Sequence, residues 1–301
     1  EHFNSLLLEA VTTSFQIHVQ MCLADSVRMY NAAQIISAPM IAVAANSSFL
    51  FGKNLWCDTR IPIFEQSAAI PYNLNGRPTP LKRVTFGHRF VEHSLFELFE
   101  ENLKKYLILL PEWSNEPETM LHHLQLHNGT IWRWNRPLIG LDNPSKPNLR
   151  IEHRINPAGP SIADNVANLA FFVGLVTHYA KIETPPEKEI SFNVVADNFY
   201  RAAKYGLDAD IVWLNGKSIN IVTLILEDIL PNAKSGLTSL GIDQESIEFY
   251  IDIVKQRVVK RLTGADWQRK FVAKYGLDFN NMIYNYLENQ MKQRAIHQWK
   301  I

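Results

Sequence analysis

The sequence predicts an α+β fold, with a small antiparallel sheet formed early in the chain and helices filling most of the second half. Three observations predict it. Residues 12–21 and 149–155 alternate apolar and polar side chains with the period of two expected of half-buried strands. From Asn193 onward, apolar residues recur at helical spacing with few interruptions. Strands and helices do not alternate along the chain as βαβ units require.

The chain opens on a helical-looking stretch, His2 to Ala10. In the first strand, Thr13, Phe15, Ile17, Val19 and Met21 point one way; Ser14, Gln16, His18 and Gln20 point the other. A helical region follows from about Asp25 to Ala45. A kink is predicted at Pro39, because proline lacks an N–H and crowds the carbonyl four residues back. Residues 46–83 read as a long loop, with Pro62, Pro71, Pro78, Pro80 and the turn pair Asn75-Gly76. Such a loop inside a compact domain is usually functional or mobile. His88 to Leu110 reads as an amphipathic helix carried by Phe90, Leu95, Phe96, Leu98, Phe99 and Leu103.

Two strands are predicted next, Asn128 to Arg136 and Leu149 to Ile155, with a turn at Asn143-Pro144-Ser145. Ser161 followed by Asp164 resembles a capping box and opens a helix to about Ile182. The helical remainder breaks near Asn215-Gly216, Asn232 to Gly241, and Lys274 to Asp278. There is no internal repeat. Neither G-x-G-x-x-G nor G-x-x-x-x-G-K-[ST] is present, so neither a Rossmann crevice nor a P-loop is predicted.

Of 301 residues, 47% are hydrophobic, enough to bury a sizeable core. Lys plus Arg equals Asp plus Glu at 30 each, so no general attraction to nucleic acid or an acidic membrane is expected. Any phosphate must be held by a local basic cluster. Two cysteines, Cys22 and Cys57, make neither a disulfide framework nor a cysteine zinc site; reduced thiols in a cytoplasmic protein are expected. The glycosylation patterns at Asn46 and Asn128 are short enough to arise by chance. The longest apolar run, Leu169 to Val176, is far below the ~20 residues of a membrane span, and no signal peptide is visible.

The strand Arg150-Ile-Glu-His-Arg154 puts Arg150, Glu152 and Arg154 on one face. With His18 and Gln20 on another strand, that face is equipped for charged ligands. Carboxylate and imidazole suit a divalent cation, and guanidinium matches phosphate oxygens. By pattern alone, a solvated sheet face carries the same residues. Other clusters point less sharply. His88 and Glu92-His93 miss both zinc-protease spacings, and His122, His123 and His127 have no carboxylate close in sequence. A zinc hydrolase is thus the weakest reading. Trp132 and Trp134 suit either adenine stacking or burial between sheet and helices. Glu97, Glu100 and Glu101 read as a solvated helix face.

Several separated segments resemble the glutamate–cysteine ligase superfamily, especially its bacterial carboxylate–amine ligase branch. They are Thr13-Ser-Phe-Gln-Ile-His18, Ala44 to Gly52 with Asp58-Thr-Arg60, Thr130-Ile-Trp132 with Arg136-Pro137, Arg150-Ile-Glu-His-Arg154, Tyr200 to Ala209, and Thr263-Gly-Ala-Asp-Trp-Gln-Arg269. Each is short, but their order over residues 13–269 is specific. The resemblance implies a glutamine-synthetase-like fold, an antiparallel sheet with helices packed outside, in a single catalytic-type domain over 1–301. It implies ATP-dependent amide formation through an acyl phosphate, with Mg2+ beside the phosphates and small amino-acid substrates. Glu152 and His18 are then expected at the metal, and Arg154 at the γ-phosphate. Arg60 and Arg136 are expected on anionic groups, and Arg201 and Lys204 near the nucleotide with His18. Lys204 stands where the family has arginine, and Arg269 is as easily structural. The family's leading Gly-x-Glu-x-Glu strand has no counterpart, so the chain is expected to start after it. A non-catalytic remnant or fragment that binds nucleotide or a partner chain is the alternative. Assembly into a homo-oligomer is left open.

Overall fold

The computed structural model describes residues 7–74, 77–143 and 146–301. After the one-turn helix α1 (Leu7–Ala10), strand β1 (Ile17–Met21) enters a three-stranded antiparallel sheet of order β1–β9–β8, with β8 (Asn135–Asn143) and β9 (Lys146–His153). The predicted alternation is realised. Ile17 and Met21 are buried, while His18 and Gln20 face outward. On the central strand, Ile151 is buried on the inner face, and the His153 ring stacks on Phe172 at 4.0 Å. The turn Asn75-Gly76 and residues 144–145 of the second predicted turn lie outside the described residues, as do residues 1–6 of the opening stretch.

The predicted break in the first long helix falls at Ile36, between α2 (Ser26–Ile35) and α3 (Ser37–Ala44). Pro39 causes it from three residues downstream. Its ring crowds the carbonyl of Ile35, and placing the proline in the first turn of α3 removes the conflict.

Residues 46–83 are more ordered than a loop. They form the ribbon β2 (Phe49–Leu50) and β3 (Lys53–Asn54), the helix α4 (Arg60–Ser67), and the ribbon β4 (Ala69–Leu74) and β5 (Arg77–Lys82). Pro62 falls in the first turn of α4, where its missing N–H costs no helical bond. Pro71, Pro78 and Pro80 sit in a two-stranded ribbon, where each strand keeps an unpaired edge. A short pair, β6 (Val84–Thr85) with β7 (Trp132–Arg133), runs parallel.

The helix expected over His88 to Leu110 is only α5 (Phe96–Lys105). The Glu97 carboxylate accepts N–H bonds from Glu92, His93 and Ser94 and pairs with Arg89 at 2.6 Å. These bonds fold residues 89–94 back on the helix start, so the helix cannot begin earlier. Helix α6 (His122–Gly129) occupies the start of the first predicted strand.

Helix α7 (Ile162–Lys181) follows its Ser161 cap, whose hydroxyl oxygen accepts the Asp164 N–H at 3.1 Å. It carries the apolar run into the core: Phe171, Phe172, Leu175 and Val176 are fully buried. Helix α8 (Phe192–Tyr205) packs on α3. The region from Asn193 is not wholly helical. Asn215 and Gly216, both at positive φ, turn a hairpin of β10 (Asp210–Val212) and β11 (Ser218–Asn220).

The break expected over Asn232 to Gly241 falls at the far end of that span, after Ser239, and the residues before it are helical. α9 (Ile221–Leu224) runs through a widened π segment at Ile225–Ile229 into α10 (Leu230–Ser239). The wider turn just before Pro231 absorbs the missing N–H. The chain then turns at Gly241 into α11 (Gln244–Val259), α12 (Gly264–Tyr275) and α13 (Phe279–Met291). The result is α+β: an antiparallel sheet with helices outside and a mostly helical second half. One large core joins the inner sheet face to α2, α3, α7, α8 and α11. A smaller one gathers Leu262, Trp267, Phe271, Ile296 and Trp299. Among the described residues, no helix is long and apolar enough to cross a membrane.

Candidate active site

The outer face of the three-stranded sheet carries the charged cluster. Register places His18, Glu152 and Arg136 side by side on the three strands, and Gln20, Arg150 and Leu138 in the next row of that face. Glu152 is 2% exposed, which is unusual for a carboxylate on an outward face. Three groups cover it. Arg136 Nη2 donates to its Oε2 at 2.8 Å, Arg154 Nε lies 2.9 Å from Oε1, and His18 Nε2 lies 3.4 Å from Oε2.

The guanidiniums are not satisfied by this one carboxylate. Arg154 Nε and Nη1, Arg136 Nε and Arg150 Nε are buried without a correctly aligned hydrogen-bond acceptor. The Arg154–Glu152 contact is therefore a charge contact rather than an aligned hydrogen bond. Buried N–H donors on several guanidiniums around a single carboxylate have the chemistry to bind an anion. Burial lowers the Arg154 pKa to about 10 against the pull of Glu152, so the group still carries its charge at neutral pH. Burial also lowers the His18 pKa; Arg150, Arg136 and Arg154 oppose Glu152 there, and the imidazole is neutral at pH 7.

Aromatic residues back the cluster. Arg154 lies over the Phe64 ring at 5.5 Å, and Phe64 packs edge-on against Trp134 at 5.8 Å. Trp134 is fully buried and donates its indole N–H to Glu65 at 2.9 Å. That placement takes Trp134 out of any stacking role; it belongs to the wall.

The other expected site residues sit differently. Arg60 is buried, and its guanidinium donates to the backbone carbonyls of Arg154 and Ile155. It pairs with Asp58 at 3.5 Å and lies over Trp134 at 5.2 Å. Arg201 and Lys204 lie on the exposed side of α8, and neither is bonded to the Glu152 cluster. Their helix acts through its backbone and Tyr200: Cys57 N–H donates to the Lys204 carbonyl, Asp58 N–H to that of Ala203, and Tyr200 Oη to Glu65 at 2.6 Å. Arg269 donates to Asn54, Cys57 and Leu55, while Gln268 bonds Asn46 and Ser48. The C-terminal motif thus clamps residues 46–57.

Sequence reasoning passed over Arg150 as a site residue, although it shares the polar face of its strand. It also missed Glu65, which sits in a stretch read as loop, and Gly140, which no pattern singles out.

A magnesium ion is poorly served here. A hard dication needs about six oxygen ligands, often from more than one carboxylate. Glu152 is already neutralised by two guanidiniums. Among the described residues, no three His, Cys, Asp or Glu side chains converge as metal ligands would, and the histidines at 122, 123 and 127 form no such group. The donor set fits an anion, and it does not fit a bare dication.

No curated protein matches the chain. The family model for glutamate-cysteine ligase family 2 (GCS2) matches residues 1–296. The buried Glu152–Arg154 pair on an antiparallel strand, the helix bearing Tyr200 and the clamp formed by residues 263–269 are the same segments that carry the resemblance, and the chain belongs to glutamate–cysteine ligase family 2.

Proposed function

We propose that the protein is an ATP-dependent carboxylate–amine ligase that joins an amino-acid carboxylate to an amine through an acyl phosphate. The observation that carries this reading is the set of open N–H donors on Arg154 and Arg136 around the buried Glu152. Family membership supports the ligase class.

In the first step the substrate carboxylate oxygen attacks the γ-phosphorus of ATP. The bond to the β,γ-bridging oxygen breaks, and ADP leaves. In the second step the amine attacks the acyl carbon, phosphate leaves with the electron pair, and the amine loses a proton. Negative charge builds on the transferred group, and fixed guanidiniums stabilise it. Arg154 takes the γ-phosphoryl oxygens, and Arg136 faces the attacking carboxylate. Glu152 orients both guanidiniums instead of holding a metal. Arg60 positions Arg154 by fixing the carbonyls of Arg154 and Ile155. Neutral His18 stands beside Glu152 and offers a ring nitrogen to the phosphates.

The test is ADP release from ATP with glutamate and cysteine, or another amine. Turnover that needs both substrates and falls at least a hundredfold in Arg154→Ala supports the reading; removal of one electrostatic donor costs about 10²–10³ in rate. Unchanged turnover in that variant sinks the assignment. One observation favours a second reading, a protein that binds nucleotide without turning it over: a single carboxylate stands on this face among the described residues. Calorimetry showing ATP binding with no ADP release identifies that case.

A further inference from the structure

Beside the Glu152 cluster lies a pocket of about 440 Å³, lined by Arg136, Arg150, Leu138, Gly140, Met120 and Gln125, among others. Its size falls in the range of small-ligand sites. Arg150 is its distinctive group. It is half-buried, its Nε is buried without an acceptor, and it forms no ion pair with any described residue. The nearby charges add to the imbalance: Arg136, Arg150 and Arg154 face one carboxylate, Glu152, and His18 is neutral. A cation placed this way attracts an anion strongly.

Gly140 makes the position of Arg150 possible. A Cβ on Gly140 would lie 2.6 Å from Arg150 Nη2 and 2.8 Å from Asn148 Oδ1. The guanidinium therefore crosses β8 over the bare glycine and reaches the pocket between β8 and α6. The same pocket is lined by Met120, Leu138 and Leu141, which are apolar, and by Gln125, whose amide bonds to no described residue. A polyphosphate has no use for that apolar wall. A short aliphatic stem ending in a carboxylate matches it.

We infer that Arg150, placed by Gly140, is the specificity-determining residue for an aliphatic carboxylate of the acid substrate, in a subsite separate from the phosphate position at Arg154. The identity of that acid as the substrate rests on the ligase reading; the binding of a carboxylate does not. Arg136 stands between the two subsites and serves both.

The experiment is calorimetry on the full chain with two probes, glutamate and inorganic tripolyphosphate, for the wild type, Arg150→Gln and Gly140→Ala. Gly140→Ala keeps every charge and displaces only the ends of two side chains, Arg150 and Asn148, so both variants are expected to fold as judged by circular dichroism. The expected result is a loss of glutamate affinity of about tenfold or more in both variants, the usual scale for a charge-assisted hydrogen bond, with tripolyphosphate affinity within about twofold. Loss of both ligands together, loss of tripolyphosphate alone, unchanged glutamate affinity, or no glutamate binding by the wild type would each overturn the subsite. Failure of the ligase reading shows separately, as absent ADP release while glutamate binding still depends on Arg150. If turnover is present, a raised KM for the acid with an unchanged KM for ATP gives the same assignment.

Discussion

Arg154 is held from below by the Phe64 ring, from one side by Glu152 and along its backbone by Arg60. A residue fixed that firmly has its rotamer chosen before any ligand arrives, which is what an electrostatic catalyst needs. Arg154→Lys keeps the charge but loses the planar fork. Steady-state kinetics should show turnover reduced at least tenfold with thermal stability nearly unchanged. Glu152 behaves differently because it is buried between cations. Glu152→Ala strands Arg136 and Arg154 without a counter-charge, and breaking such a buried pair costs about 3–5 kcal/mol. Chemical denaturation should show that loss, so Glu152→Gln, which keeps the shape, is the cleaner probe of activity. At this scale the sequence was partly readable. Alternation alone put Glu152 and Arg154 on one face. Arg60 was open to misreading, because its partners are backbone carbonyls and no side-chain pattern announces a guanidinium that bonds the main chain.

Helix α7 meets α10 through glycine rather than through interlocking side chains. A Cβ on Gly236 would lie 1.9 Å from the Gly174 carbonyl oxygen, and one on Gly174 would lie 2.3 Å from that of Ala233. The atoms in the way are backbone, so they cannot swing aside. Gly236→Ala must push the helices apart, and overpacking of this kind costs about 1–3 kcal/mol or more; urea denaturation measures it. The segment before α5 supplies a pH-dependent counterpart. Burial alone would raise the Glu97 carboxyl, but the N–H groups of His93 and Ser94 and the Arg89 guanidinium bring its pKa down from 4.5 to about 2. A lowered carboxyl contributes stability that is complete above the ordinary value and disappears as pH falls from about 4.5 to about 2. Glu97→Gln should therefore flatten the acid limb of the stability profile across that window and leave its slope near neutrality unaltered. Long periodic elements were legible at this scale, α7 and β1 above all, because burial enforces their pattern. The helix at Arg60–Ser67 and the hairpin at 210–220 were not. In the first, a first-turn proline imitates a loop; in the second, strands of three residues are too short to show a period.

At the scale of the molecule, the two hydrophobic cores are joined by a buried ion pair. Arg257 on α11 donates from Nε to the Asp164 carboxylate at 3.1 Å, from Nη2 to the Asp164 carbonyl at 2.9 Å, and from Nη1 to Asn168 at 2.6 Å and to the carbonyl of Val43 at 3.2 Å. Asp164 also accepts the Ser161 hydroxyl at 2.7 Å and the backbone N–H of Ile296 at 3.0 Å. Helices α3, α7 and α11 and the residues that close the smaller core thus share one pair of charges, far apart in sequence and invisible to any local pattern. If residues 1–301 behave as a single domain, the two cores must unfold together, because neither can separate without exposing that pair. Differential scanning calorimetry should then show one transition for the wild type. Arg257→Ala leaves Asp164 buried and unpaired, a change worth about 3–5 kcal/mol. It should move the whole transition down by several degrees and keep it single. A second, lower transition that follows Trp267 and Trp299 fluorescence would show that the smaller core unfolds by itself, and that the pair anchors a separable unit.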